Sequence, residues 1–181
     1  QDAEDKKTHQ SSTTDSRRRE LVDALHRLPT NVGMALGIRQ QCRGIAEKLV
    51  QSKCPSIFVL GKGFAEPVAR EGALKIKEIT YVHAEGYAGG ALKHGPFALI
   101  DKGTPIILII LDDSQATFMD IAAAEVRARG ALTIVITNNR KLATHADEII
   151  EIPANGLLSA LIAVVPIQMI AYEMSVLRGV N

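Results

Sequence analysis

The sequence predicts an α/β domain with a mostly parallel sheet. Three observations carry this. Residues 56–60, 104–111 and 132–137 are short apolar runs of strand length, as expected of strands buried on both faces. Between them lie longer stretches with apolar residues at helical spacing. Strands and helices then alternate along the chain, an order that right-handed crossovers convert into parallel neighbours.

Residues 1–15 are polar, rich in Ser, Thr and charge, and read as a disordered tail or linker. The opening Gln in place of Met suits a fragment. Residues 16–51 read as two connector helices. The first, about 17–28, sets Leu21, Val22, Leu25 and Leu28 at helical spacing, with Asp15 or Ser16 as cap and Pro29 as stop. The second, about 31–51, buries Met34, Ile38, Cys42, Ile45 and Leu49. Residues 52–181 form the domain itself. After the first strand comes a helix over 64–79, an extended 82–85 and a short helix over 90–100. The central strand 104–111, a helix over 114–129 ended by Gly130, and the strand 132–137 follow. A weaker edge strand, 148–152, precedes a largely apolar, covered helix over 157–178.

Composition narrows the function classes. A net charge of +1, no Trp and few aromatic residues give no nucleic-acid surface and no stacking platform. The run Arg17-Arg18-Arg19 reads as a solvated helix start. Cys42 and Cys54 have neither metal nor redox spacing and suit free thiols in a reducing compartment. No secretory signal is visible. The apolar run 157–172 is interrupted by Ser159, Pro166 and Gln168 and reads as too short for a membrane span. The expectation is a soluble, cytoplasmic protein that binds neither nucleic acid nor membrane. His and carboxylate residues lack metal-ligand spacing, and no cofactor is expected.

The helix over 64–79 carries the most distinctive pattern. At about 100° per residue, Glu71, Lys75 and Glu78 share one stripe, with Leu74 and Phe64 beside it. Val68, Gly72, Ile76 and Ile79 form its apolar flank, and Glu66, Arg70, Ala73 and Lys77 the opposite, water-facing side. A carboxylate–ammonium–carboxylate row therefore lies where the helix turns from solvent, a setting that perturbs pKa values. The same letters also read as an exposed i,i+4 pair contributing ~0.3–0.5 kcal/mol.

In α/β sheets ligands collect beyond the carboxyl ends of the strands. Gly61-Lys62-Gly63 begins like a dinucleotide fingerprint, but Glu66 replaces the third glycine, so a tight strand-to-helix turn is the better account. Asp112 and Asp113 would repel a phosphate at the next helix and read as capping residues. His94, in Lys93-His94-Gly95-Pro96, suits an acid/base group titrating near neutrality, although a lone His is also often structural. His83 reads as structural and packed. His9, His26 and His145 have no visible context.

Residues 73–101, from Ala73-Leu74-Lys75 through Glu78 and Tyr81-Val82-His83-Ala84-Glu85 to Leu92-Lys93-His94-Gly95-Pro96 and Asp101, closely resemble the isomerase part of the glucosamine-6-phosphate synthase family. These are the isomerizing glutamine–fructose-6-phosphate aminotransferases. The resemblance is strongest over 60–101 and weaker through Glu125-Val126-Arg127-Ala128-Arg129-Gly130 to the end. It implies a sugar-isomerase (SIS) domain, a flavodoxin-like three-layer sandwich, the second of two such domains behind a glutaminase domain. It implies conversion of fructose 6-phosphate and glutamine to glucosamine 6-phosphate and glutamate. On that likeness Glu78 is the acid/base between C1 and C2, Lys75 and Glu71 its active-site neighbours, and His94 a ring-opening residue reaching the partner subunit's site in a homodimer.

Some features depart from the family. Ala91 stands where the family usually has Glu. The sugar-phosphate loops of the family belong to the first SIS domain, and its Schiff-base lysine to a tail beyond Asn181, so little activity is expected of the isolated chain. A stand-alone phosphosugar isomerase would need its own Ser/Thr phosphate loop. A non-enzymatic sugar-phosphate sensor would not need the Glu71/Lys75/Glu78/His94 set.

Overall fold

The computed structural model describes residues 2–180, with side chains from Asp15 onward. The expected tail at 1–15 falls, Asp15 apart, on side chains outside the described residues. Five parallel strands form the sheet: β1 (Ser56–Gly61), β2 (His83–Ala88), β3 (Pro105–Ile110), β4 (Leu132–Thr137) and β5 (Glu148–Glu151). Their order is β2-β1-β3-β4-β5. The chain winds one way from β1 to β2, then back past β1 to β3. The direction therefore reverses between β1 and β3, where their carboxyl ends part.

Alternation along each strand builds two cores. Ile57, Val59, Ile107, Ile109, Ile134 and Ile136 face α2 (Arg39–Ser52), α3 (Ala65–Thr80) and α5 (Ser159–Arg178). Phe58, Leu60, Ile106, Leu108, Ile110 and Val135 face α4 (Ala116–Ala128) and the buried Leu92 and Ile100. The result is the expected three-layer sandwich, with each fully buried aliphatic side chain contributing ~1.5–3 kcal/mol.

α3 is seated with no slack. A Cβ on Gly86 of β2 would lie 2.6 Å from Arg70 Cα and 2.8 Å from the Ala69 carbonyl oxygen. A Cβ on Gly72 would lie 2.5 Å from Ile167 Cγ2 of α5. Gly86 thus lets the β2 backbone close on that of α3, and Gly72 lets the Ile167 side chain of α5 seat against the other side of the helix.

The connector helices differ from expectation. α1 (Asp2–Leu36) runs straight through Pro29, and the break falls at Gly37 and Ile38. Proline forfeits one helical hydrogen bond, but Ala24, Asn31 and Ala35 are buried on either side of it, so packing carries the helix across. This small-residue face docks the helix, so Leu21, Val22, Leu25 and Met34 are exposed and Met34 is not the core residue expected. Asn155 Nδ2 donates to the Ala24 carbonyl at 3.0 Å. In α2, Cys42, Ile45 and Leu49 are buried as expected.

Two further corrections concern helices. Residues 90–100 form two 3-10 turns, Ala91–His94 and Pro96–Leu99, split by Gly95 at φ 143°. The C-terminal stretch Gly156–Arg178 does have the length and apolarity of a membrane span, against the expectation that it is too short. Here 61% of its most apolar window is buried inside the protein against α2 and α3. Its Glu173 is 1% exposed and accepts from Arg39 Nε at 2.6 Å, with Arg43 at 3.4 Å. The buried carboxylate pins α2 to α5.

Candidate active site

Gly61 to Phe64 turn β1 tightly into α3, so that a Cβ on Gly61 would lie 2.3 Å from the Ala65 carbonyl oxygen, and Glu66 pairs with Arg70 at 2.8 Å. Three turns along α3, Lys75 Nζ donates to Glu78 Oε2 at 2.6 Å and stands 3.7 Å from Glu71 Oε1. The row is half-exposed rather than buried: 40% for Glu71, 31% for Lys75 and 48% for Glu78. The Glu78 hydrogen bond, reinforced by the charges of Glu71 and Glu78, raises the Lys75 pKa against a smaller opposing effect of burial. Lys75 therefore remains a full cation at neutral pH. Val68, Gly72 and Ile76 are buried behind the row, as the periodicity requires. The water face is corrected at Ala73, which is buried because α3 is covered by both β2 and α5.

The row lies between two contrasting regions. Glu71 helps to wall an apolar groove of about 590 Å³ formed with Leu21, Phe64, Val68, Leu157 and Leu161. At the other end, Tyr81 caps α3 in the left-handed conformation (φ 58°), its N–H donating to the Lys77 carbonyl and its ring exposed.

His94 is placed elsewhere. Glu78 sits on the last turn of α3, at the amino edge of the sheet, whereas His94 follows β2 at the carboxyl edge. The six residues of β2 separate them by roughly 20 Å. One chain thus brings Glu71, Lys75 and Glu78 together and leaves His94 apart, exposed at the rim.

Other candidates resolve as follows. Neither Asp112 nor Asp113 caps α4, against expectation: Asp113 Oδ1 accepts from the Gln115 N–H at 2.7 Å in the turn ahead of the helix, and Asp112 is tied to Asn139 at 3.0 Å. Both line a cleft of about 720 Å³ where β1 and β3 part, with Arg17, Ser114, Gln115 and Asn138. Arg17 is exposed, as expected of a solvated residue, but lies well inside α1 instead of at its start. His83 is exposed, not packed: Nδ1 lies 2.9 Å from Ser56 Oγ and Nε2 3.4 Å from Glu85. Among the described residues no group of His, Cys, Asp and Glu could hold a metal ion.

Comparison with known proteins agrees with this architecture. The family model for the SIS domain matches residues 48–178. The isomerizing glutamine–fructose-6-phosphate aminotransferase of Thermococcus kodakarensis is 39% identical over 160 residues, 88% of this chain and 26% of the relative. That of Methanothermobacter thermautotrophicus is 40% identical over 166 residues, 90% of this chain and 28% of the relative. The C-terminal domain of glucosamine-fructose-6-phosphate aminotransferase from Francisella tularensis superposes with a TM-score of 0.85 at 32% identity, covering 92% of this chain and 47% of that one. The chain thus spans about a quarter of the length of the curated relatives it matches. Parallel sheet, strand order and sequence match agree: this chain belongs to the SIS domain family.

Proposed function

We propose that the chain supplies part of the isomerase site of an isomerizing aminotransferase, which turns fructose 6-phosphate and glutamine into glucosamine 6-phosphate and glutamate. The observation that carries the reading is the Lys75–Glu78 contact of 2.6 Å, flanked by Glu71, on a helix within the segment shared with the aminotransferases. Moving a proton between adjacent sugar carbons needs one carboxylate that gives and takes it, and a cation to steady the enolate oxygen. Glu78 takes the first role and Lys75 the second, its raised pKa keeping the charge in place. Glu71 orients the ammonium. The remainder of the site, including the phosphate grip, comes from the first SIS domain, and ammonia from a glutaminase domain.

His94 cannot reach Glu78 in its own chain, which supports a homodimer in which each His94 opens the sugar ring in the partner's site. The compartment that suits these substrates and the free thiols is the cytoplasm, and the reaction needs no cofactor. The test is Glu78→Gln in the full-length protein, assayed for fructose 6-phosphate isomerisation. The expected result is a fall in kcat of at least ~10²-fold with sugar phosphate still bound. Retention of wild-type turnover by Glu78→Gln would refute the role given to Glu78, whereas a full-length protein that binds sugar phosphate but turns none over with Glu78 intact would be a sensor.

A further inference from the structure

We infer that α4 is the cradle that positions His94, with Glu125 and Arg129 as positioning residues. This rests on the role proposed for His94 above. His94 is exposed, so its own contacts do not fix it. Its neighbours on both sides are fixed, and all to one helix and its cap. Before it, Lys93 Nζ donates to Glu125 Oε1 at 2.7 Å. After it, the Phe97 ring lies under the Arg129 guanidinium at 4.7 Å. At the start of the loop, Gly89 and Gly90 run so close to α4 that added Cβ atoms would lie 2.5 Å from Met119 Sδ and 3.2 Å from Phe118 Cζ. Leu92 and Ile100 are sunk into the same core as Met119 and Val126.

Phe118, Glu125 and Arg129 are spaced by seven and four residues, a single stripe along the helix. That stripe meets the loop at its start, beside His94 and beyond it. Gly95, at φ 143°, then turns the chain sharply just past the imidazole. The loop has no regular hydrogen-bond ladder between its two 3-10 turns, so side-chain pins supply the order that backbone pairing does not. A ring held from both sides but left free itself is presented outward, as a residue serving a partner's site must be.

Such a clamp acts only through His94, which gives a test that a general structural role does not pass. In the full-length protein, Glu125→Gln and Arg129→Gln are combined, and His94→Asn is made alone and together with them. The expected result is about a tenfold fall in kcat for the paired pin variant, with KM for fructose 6-phosphate within about twofold. In the His94→Asn background the same two substitutions change kcat by less than about twofold, because the residue they position is gone. Exchanging the charges, Lys93→Glu with Glu125→Lys, restores most of the loss caused by Glu125→Lys alone. A thermal melt of each variant keeps unfolding out of the comparison. An equal loss in both backgrounds, or unchanged kcat in the paired variant beside a large loss in His94→Asn, overturns the inference alone. Unchanged kcat in His94→Asn overturns the assignment of His94 and the clamp with it.

Discussion

Replacing Gly86 by Ala tests whether the seat of α3 matters as argued. The added methyl would meet Arg70 Cα at 2.6 Å, with the Ala69 oxygen and the Arg70 nitrogen at 2.8 Å, all of them backbone atoms. Ordinary contact begins at 3.4 Å, so α3 must back away from β2 by about 0.8 Å. No rotamer change relieves the clash. Overpacking of this kind costs ~1–3 kcal/mol. Against it, Ala is ~0.5–1 kcal/mol better than Gly inside a strand. A net destabilisation of up to ~2.5 kcal/mol, centred near ~1 kcal/mol, follows, read as a lower urea midpoint at unchanged slope. The same displacement carries Lys75 and Glu78 with the helix. A shift approaching 1 Å in reacting groups can cost ~10²-fold in rate, so isomerisation by the full-length protein should fall well beyond what lost stability explains. An unaltered midpoint together with unaltered turnover would show that α3 moves freely, and the argument for a tightly seated acid/base row would fail.

Two further outcomes follow from named residues. Tyr81 sits in the left-handed region that glycine adopts without strain, and its ring is exposed. Tyr81→Gly should therefore leave the midpoint of chemical unfolding unchanged or raise it, by up to ~1 kcal/mol; a clear loss would mean that the ring makes stabilising contacts. Cys42 has its thiol pKa pushed up to about 11, mainly by burial and also by the Glu173 carboxylate. The unfolded thiol loses its proton near pH 9 while the folded one keeps it. Its contribution is thus fully present below pH 9 and is lost as pH rises towards 11, by up to ~2–3 kcal/mol. Cys42→Ala should flatten that alkaline decline in equilibrium unfolding, and an equally steep decline in the variant would count against the buried-thiol account.

The centre of the sheet was legible because β1, β3 and β4 are continuous apolar runs too short for buried helices, whereas the edge strands β2 and β5 carry His83, Glu85, Glu148 and Glu151 and read more weakly. Val68, Gly72 and Ile76 turned inward as their spacing required, since α3 is amphipathic. Ala73 and Met34 went against pattern for one reason. A methyl group packs where a second neighbour approaches, and a long side chain is left out where small residues dock, and neither neighbour is written in the local sequence. Pro29 misled similarly: helix propensity gave a stop, and tertiary packing of Ala24, Asn31 and Ala35 overrode it. The Glu71/Lys75/Glu78 row was readable from spacing within one helix. The pins on His94 were not, because Lys93 and Glu125 are 32 residues apart and meet only once the 89–100 loop crosses α4.

α5 stands between α2 and α3 in the structure, yet it is the last element of the fold to be made. On the ribosome, the side of the nascent sheet that faces α4 can close once β4 and Ala143 have followed α4 out. The other side keeps Ile107, Ile109, Ile134 and Ile136 partly uncovered until α5 clears the exit tunnel. That interval is when the chain is most open to aggregation and to capture by chaperones, and synthesis pausing shortly before α5 would prolong it.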